Sequence, residues 1–246
     1  MCRLAAYLGP PITLETLLAG PAEQLLSDAY RFGLGWYASD ALPALYTCAQ
    51  PAWLDANLPH LSRSLQSGLW LVHGRRLGGG PAPDALAPQP LCDEEFVFAH
   101  QGFVEGFRDT LRPALRNFLA PEIEADIKTA DVAEYLFALL RHFLADDQDL
   151  SIEQALGETF ALLEDTLGEF SAELNVIVSE GEGLYAVRHA INAECAPLYF
   201  TADDEAYPSG QLIAAEPFSD AAVWQPVPEH HILILDSYEP PELVPL

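Results

Sequence analysis

Basic residues are scarce in this chain. Lys128 is the only lysine, and the 11 Lys and Arg residues face 37 Asp and Glu, a formal net charge of -26. A surface this negative repels nucleic acids and anionic membranes, which are held through Lys and Arg, so neither is expected as a partner. Long apolar runs are missing too, and none approaches the length needed to span a bilayer. The N-terminus lacks a basic segment followed by an apolar one, so no secretory signal is read and a cytoplasmic protein is expected. Cysteine is sparse: Cys2, Cys48, Cys92 and Cys195 lie far apart without a C-x-x-C pair. That spacing suits neither a zinc site nor a disulfide scaffold, so no metal is expected and the thiols read as free, buried and inert.

Half of the 246 residues are apolar, enough to bury a substantial core. No repeat and no linker divides the chain, so 1–246 reads as one domain. Cys2 to Leu8 is strand-like, with Gly9-Pro10-Pro11 as its expected end, and a short helix is expected over Leu14 to Leu26 with Thr13 as N-cap. Strand patterns follow at 31–39, 44–50, 68–76 and 94–104, and the Gly- and Pro-rich 77–90 reads as an irregular loop. Apolar residues then recur at helical spacing over Phe107 to Leu119, Val132 to Phe143 and Ile152 to Leu167. After Ser171 strands return, first as a hairpin around Glu-Gly-Glu-Gly, then as PLYFT, QLIAAEPF and HHILILD. Strands on both sides of a helical block, without a βαβ rhythm, predict an α+β fold in which two antiparallel sheets pack together with helices outside.

Five segments in order resemble one family. MCRLAAYLG at the start, RFGLGWY, FAHQGFV, LNVIVSEGEGLYAVRH and IAAEPFSDAAVWQPVP are similar to the class II glutamine amidotransferases, which belong to the N-terminal-nucleophile hydrolases. The later two resemble the stand-alone subgroup that includes the γ-glutamyl hydrolase of ergothioneine synthesis. The resemblance implies an αββα sandwich and hydrolysis of glutamine or a γ-glutamyl compound, without cofactor. It implies a small-molecule amide as partner, and either a stand-alone hydrolase or a glutaminase subunit that borrows a synthase.

In that family the initiator Met is removed and the exposed Cys becomes the nucleophile, here Cys2. A thiol with a pKa of about 8.5 needs a base, and a freed α-amine on the same residue, with a pKa of about 7.7–8.0, can serve. The alternative for Cys2 is a buried thiol opening a strand. The tetrahedral oxyanion needs two donors, in the family an Asn amide and a Gly N–H. Gly102 matches the second, or is a turn glycine, and Gln101 stands in place of Asn. His73 falls where the family has the Arg that binds the substrate carboxylate, and Arg75 shares its strand face and could supply that clamp. Val132 replaces the Asp that meets the substrate ammonium, and Asp131, one residue earlier, is either that ligand or a helix N-cap. Arg31 takes the place of an Asp before the second strand. Arg3 is expected to pair with an acidic neighbour, His100 to pack or bond locally, and Trp36 and Trp70 to form core or pocket wall. The altered positions keep open a rival reading, a non-catalytic relative with a binding or regulatory role.

Overall fold

A computed structural model describes residues 2–19, 25–27, 29–76, 88–129, 131–202 and 204–246, and of Cys2, Arg76 and Ala221 the main chain alone. The first strand, β1 (Cys2–Thr13), does not stop at Gly9-Pro10-Pro11 as expected. Its register against a neighbouring strand shifts between Leu8 and Ile12 and then resumes. The Gly-Pro-Pro stretch is thus an irregularity inside a strand, where proline's missing N–H is tolerated. Helix α1 (Leu14–Leu18) starts where Thr13 accepts the Thr16 N–H. It is shorter than expected, and residues 20–24 of the expected helix lie outside the described set.

Next come β2 (Ala29–Tyr37), β3 (Pro43–Cys48), α2 (Leu58–Ser64) and β4 (Gln66–Arg76). Of the expected loop, 77–87 lies outside the described residues. The chain continues with β5 (Leu91–Cys92) and β6 (Val97–Val104). A π-helical turn over Phe107–Leu111 leads into α3 (Arg112–Phe118), followed by α4 (Pro121–Ala125), α5 (Val132–Asp146) and α6 (Ile152–Leu167). Ser151 and Gln154 close a reciprocal capping box at the start of α6. The last third holds β7 (Ala172–Ser179), β8 (Gly183–Ile191), β9 (Tyr199–Thr201), β10 (Gln211–Ala214), β11 (Gln225–Pro226), β12 (His231–Asp236) and β13 (Glu242–Pro245).

The strands form two sheets, ordered β11-β9-β10-β1-β4-β2-β3 and β13-β12-β8-β7-β6-β5. Their pairings are antiparallel. Alternation along each strand builds three apolar layers. Leu4, Ala6, Leu69, Leu71, Val97 and Ala99 pack between the sheets. Tyr7, Trp70 and Val72 turn the other way, under α1 and α2. Phe98 and Val176 face α5 and α6, where Phe98 stacks on Phe137 at 5.2 Å. The result is the expected α+β sandwich, helices outside two packed sheets. Trp70 is fully buried and Trp36 lies against it, ring centroids 5.7 Å apart. No helix among the described residues is long and apolar enough to cross a membrane.

Candidate active site

Apart from Asp131, the expected site residues lie toward strand ends, placed by strand register and by side-chain alternation. Within the first sheet, Cys2 lies directly opposite Arg75, and Leu4 opposite His73. Across the other edge of β4, Arg31 is paired with Arg75 and Gly33 with His73. His73 and Arg75 continue the alternation of Leu69 and Leu71, which places them on the face turned toward the second sheet. Gln101 continues the inward alternation of Val97 and Ala99 on β6.

His73, His100 and Gln101 are all buried. Burial, then the nearby Arg75 and His100 charges, push the His73 imidazole down to about 3. His100 is pushed down to about 4 by burial, with the Glu173 carbonyl opposing and the Arg75 charge adding. Both imidazoles are therefore neutral at pH 7, and Arg75 supplies positive charge beside them. Among the described residues, His73 Nε2 and Gln101 Oε1 are buried without a hydrogen-bond partner. Each such orphan costs roughly 1–3 kcal/mol, so a group of them is a reason to look for a ligand.

Two glycines shape the wall of this region. Gly33 and Gly35 occupy inward positions on β2. A Cβ on Gly33 would lie 2.1 Å from the Gln89 carbonyl oxygen, and one on Gly35 2.6 Å from Val97 Cγ1. That clearance explains the glycines of RFGLGWY in steric terms. The Gln89–Pro90 segment that Gly33 admits holds β6, because the buried His100 N–H donates to Gln89 Oε1 at 2.6 Å. Gln89 stands where a further strand would otherwise satisfy that donor. Gly102 has φ 146°, and a Cβ there would lie 1.8 Å from the Glu173 carbonyl oxygen on β7. Close approach of the backbone demands glycine here, whether or not its N–H meets a substrate.

Asp131 is the N-cap of α5, its Oδ1 accepting the Ala133 N–H at 3.4 Å. Arg3 pairs with Glu216 at 2.6 Å, the acidic neighbour expected for it. Cys48, Cys92 and Cys195 are free, as expected, but half-buried rather than sealed. Desolvation pushes all three thiols up, so none is poised as a thiolate. A cavity of about 830 Å³ opens on the far side of Pro88 and Pro90, toward Phe96, Lys128, Phe137 and Arg141. Its lining includes none of His73, Arg75, Gln101, Gly102 or Asp131. Gln89 is the positioning residue that the sequence did not mark, since nothing in its Pro-rich surroundings distinguishes it.

The chain matches no protein-family model. It is 25% identical to the γ-glutamyl-hercynylcysteine sulfoxide hydrolase of Mycolicibacterium smegmatis, over 95% of both chains. A class II glutamine aminotransferase domain protein from Silicibacter pomeroyi superposes with a TM-score of 0.75 and 26% identity, covering 100% of this chain and 99% of the other. The chain resembles the class II glutamine amidotransferases. It resembles the stand-alone, ergothioneine-pathway type, and relatives in sequence are named as a hydrolase and a probable glutamine amidotransferase. The glutamine phosphoribosylpyrophosphate amidotransferase of Bacillus subtilis shares the fold at 11% identity, with a TM-score of 0.68 over 98% of this chain and 48% of its own.

Proposed function

We propose that the chain, acting over 1–246 as one catalytic unit, hydrolyses a γ-glutamyl amide through a thioester on Cys2. The observation that carries this reading is the register of β1 against β4, which sets Cys2 opposite Arg75 and two residues from the partner of His73. Support also comes from elimination, since the other three thiols are pushed away from the reactive form. The hydrolase and amidotransferase names of the relatives fit the same chemistry.

Removal of Met1 frees an α-amine that takes the Cys2 proton, directly or through one water. The sulfur attacks the γ-carbonyl carbon, and the Gln101 amide and Gly102 N–H receive the oxyanion. Collapse breaks the C–N bond, and the protonated α-amine gives its proton to the departing amine. Water, deprotonated by the same α-amine, then cleaves the thioester and returns the free thiol. Arg75 binds the substrate α-carboxylate, neutral His73 donates a hydrogen bond beside it, and Asp131 meets the α-ammonium. No cofactor takes part. An amine product from a γ-glutamyl compound marks a stand-alone hydrolase, and free ammonia from glutamine alone marks a glutaminase subunit with a synthase partner.

Intact mass of the protein from its native host, labelling with a glutamine-like electrophile and a γ-glutamyl amide panel test the reading together. Loss of Met1, one label on Cys2 and no turnover by Cys2→Ala are expected. Retained Met1, or equal product release by Cys2→Ala, would overturn it in favour of a non-catalytic role or another nucleophile.

A further inference from the structure

A second cluster of reactive side chains lies three strands along from Gln101. In the second sheet, Gln101, Asn175, Arg188 and His231 are successive register partners on β6, β7, β8 and β12. At the end of that row, the segment carrying Cys195 meets the turn before β12. One donor atom each from Cys195, Glu229 and His230 lies within 4.8 Å of the others.

The surroundings hold these donors in place. His230 is fixed at both ends of its peptide, its N–H donating to the Arg188 carbonyl at 2.8 Å and its carbonyl accepting the Leu246 N–H at 2.9 Å. Arg188 donates to the carbonyls of Ala196, Val227 and Cys195 at 2.9, 2.8 and 3.4 Å, and so ties the two segments together. It also pairs with Glu229 at 3.3 Å, which leaves Glu229 partly neutralised.

A buried imidazole is aimed at the cluster from behind. His189 is 2% exposed, packs on Phe160, and places its Nδ1 3.0 Å from the Nδ1 of His230. Its Nε2 lies 3.2 Å from the Glu164 carboxylate. The contact is not aligned as a hydrogen bond, but the carboxylate beside Nε2 favours the tautomer with the proton on Nε2, and that tautomer leaves His189 Nδ1 as acceptor. His230 Nδ1 must then be the donor, and His230 Nε2 keeps a lone pair. A histidine whose second nitrogen is oriented through a carboxylate is the outer-shell arrangement that fixes a metal ligand's tautomer.

We propose that Cys195, Glu229 and His230 bind a divalent transition metal of zinc type. One thiolate, one imidazole and one carboxylate suit zinc, which takes S, N and O donors at about 2.0–2.3 Å in a tetrahedron with room for a water. Glu229 is on the surface and can swing to close the remaining gap. The Cys spacing rule misses such a site, because it seeks cysteine pairs and here strand order brings the donors together. The bound metal locks the 195–197 segment against the β12 turn, and Asn175, which donates to the Pro197 carbonyl at 3.1 Å, carries that rigidity toward Gln101.

Titration of the full chain with Co²⁺, read by thiolate-to-metal charge-transfer absorption, tests this, with Zn²⁺ competing for the same signal. One equivalent of Co²⁺ is expected to give the band. Cys195→Ser should abolish it, and Glu164→Gln should weaken affinity about 10–100-fold while leaving the far-UV circular dichroism unchanged. Absence of the band in the wild-type protein, or a band that survives Cys195→Ser, overturns the site. A Glu164→Gln protein with undiminished affinity overturns the outer-shell role of His189. None of these readouts depends on amide hydrolysis.

Discussion

Replacing Gly102 by alanine tests the close approach of β6 and β7 that frames the site. The added Cβ would sit 1.8 Å from the Glu173 carbonyl oxygen, where a van der Waals contact needs over 3 Å (roughly, for C···O). The strands must part by an ångström or more, or the peptide must rotate away from φ 146°. An L-residue in that conformation costs about 1–3 kcal/mol, and disturbing two ladder hydrogen bonds about 1 kcal/mol each. The expected loss is roughly 3–5 kcal/mol, a fall in Tm of about 10 °C for a chain of this size. Gly157, partly exposed in α6 with nothing within 4 Å of its added Cβ, is the control. Gly157→Ala should stabilise by about 0.5–1 kcal/mol through helix propensity. Urea unfolding and thermal melts of both variants give the comparison. A Gly102→Ala protein within about 1 kcal/mol of wild type would refute the steric argument and with it the placing of the strand end.

Acid should destabilise the protein through its buried imidazoles. His73 and His100 titrate near 3 and 4 in the folded chain and near 6.5 when unfolded, so their contribution is full above pH 6.5 and falls as pH drops toward 4. Between pH 7 and 5 the pair should lose roughly 2–4 kcal/mol, and His73→Gln should flatten the slope of urea stability against pH; an unchanged slope contradicts the assignment. Gln89→Ala strands the buried His100 N–H and should cost about 1–3 kcal/mol, with faster hydrogen exchange at that amide as its signature. If exchange there is unaltered, Gln89 does not hold β6.

Much of the architecture was written in local pattern. The period-3.6 stretch from Ile152 to Leu167 became a helix with those same bounds, because Ser151 and Gln154 cap it without help from the rest of the chain. Strands at 31–39 and 68–76 appeared within two residues of expectation. β1 outran its Gly-Pro-Pro stop because Ser67 and Gln66 were available to pair beyond it, a long-range fact invisible in the local string. β13 was missed, since Glu242–Pro245 is short, largely exposed and flanked by proline. At the site, the resemblance selected His73, Arg75, Gln101 and Gly102, and the fold gave the first two a shared face. The link from Gln89 to His100 was illegible, because it depends on a loop segment that the distant Gly33 admits.

The position of β1 has a consequence for the order of assembly. The chain's opening strand is not at an edge: it lies between β4 and β10, with Ala5 opposite both Val72 and Ala214. During synthesis β1 must therefore wait for β10, about two hundred residues on, before its second flank exists. Until β10 emerges one flank of β1 stays open, so this long-range pairing forms late.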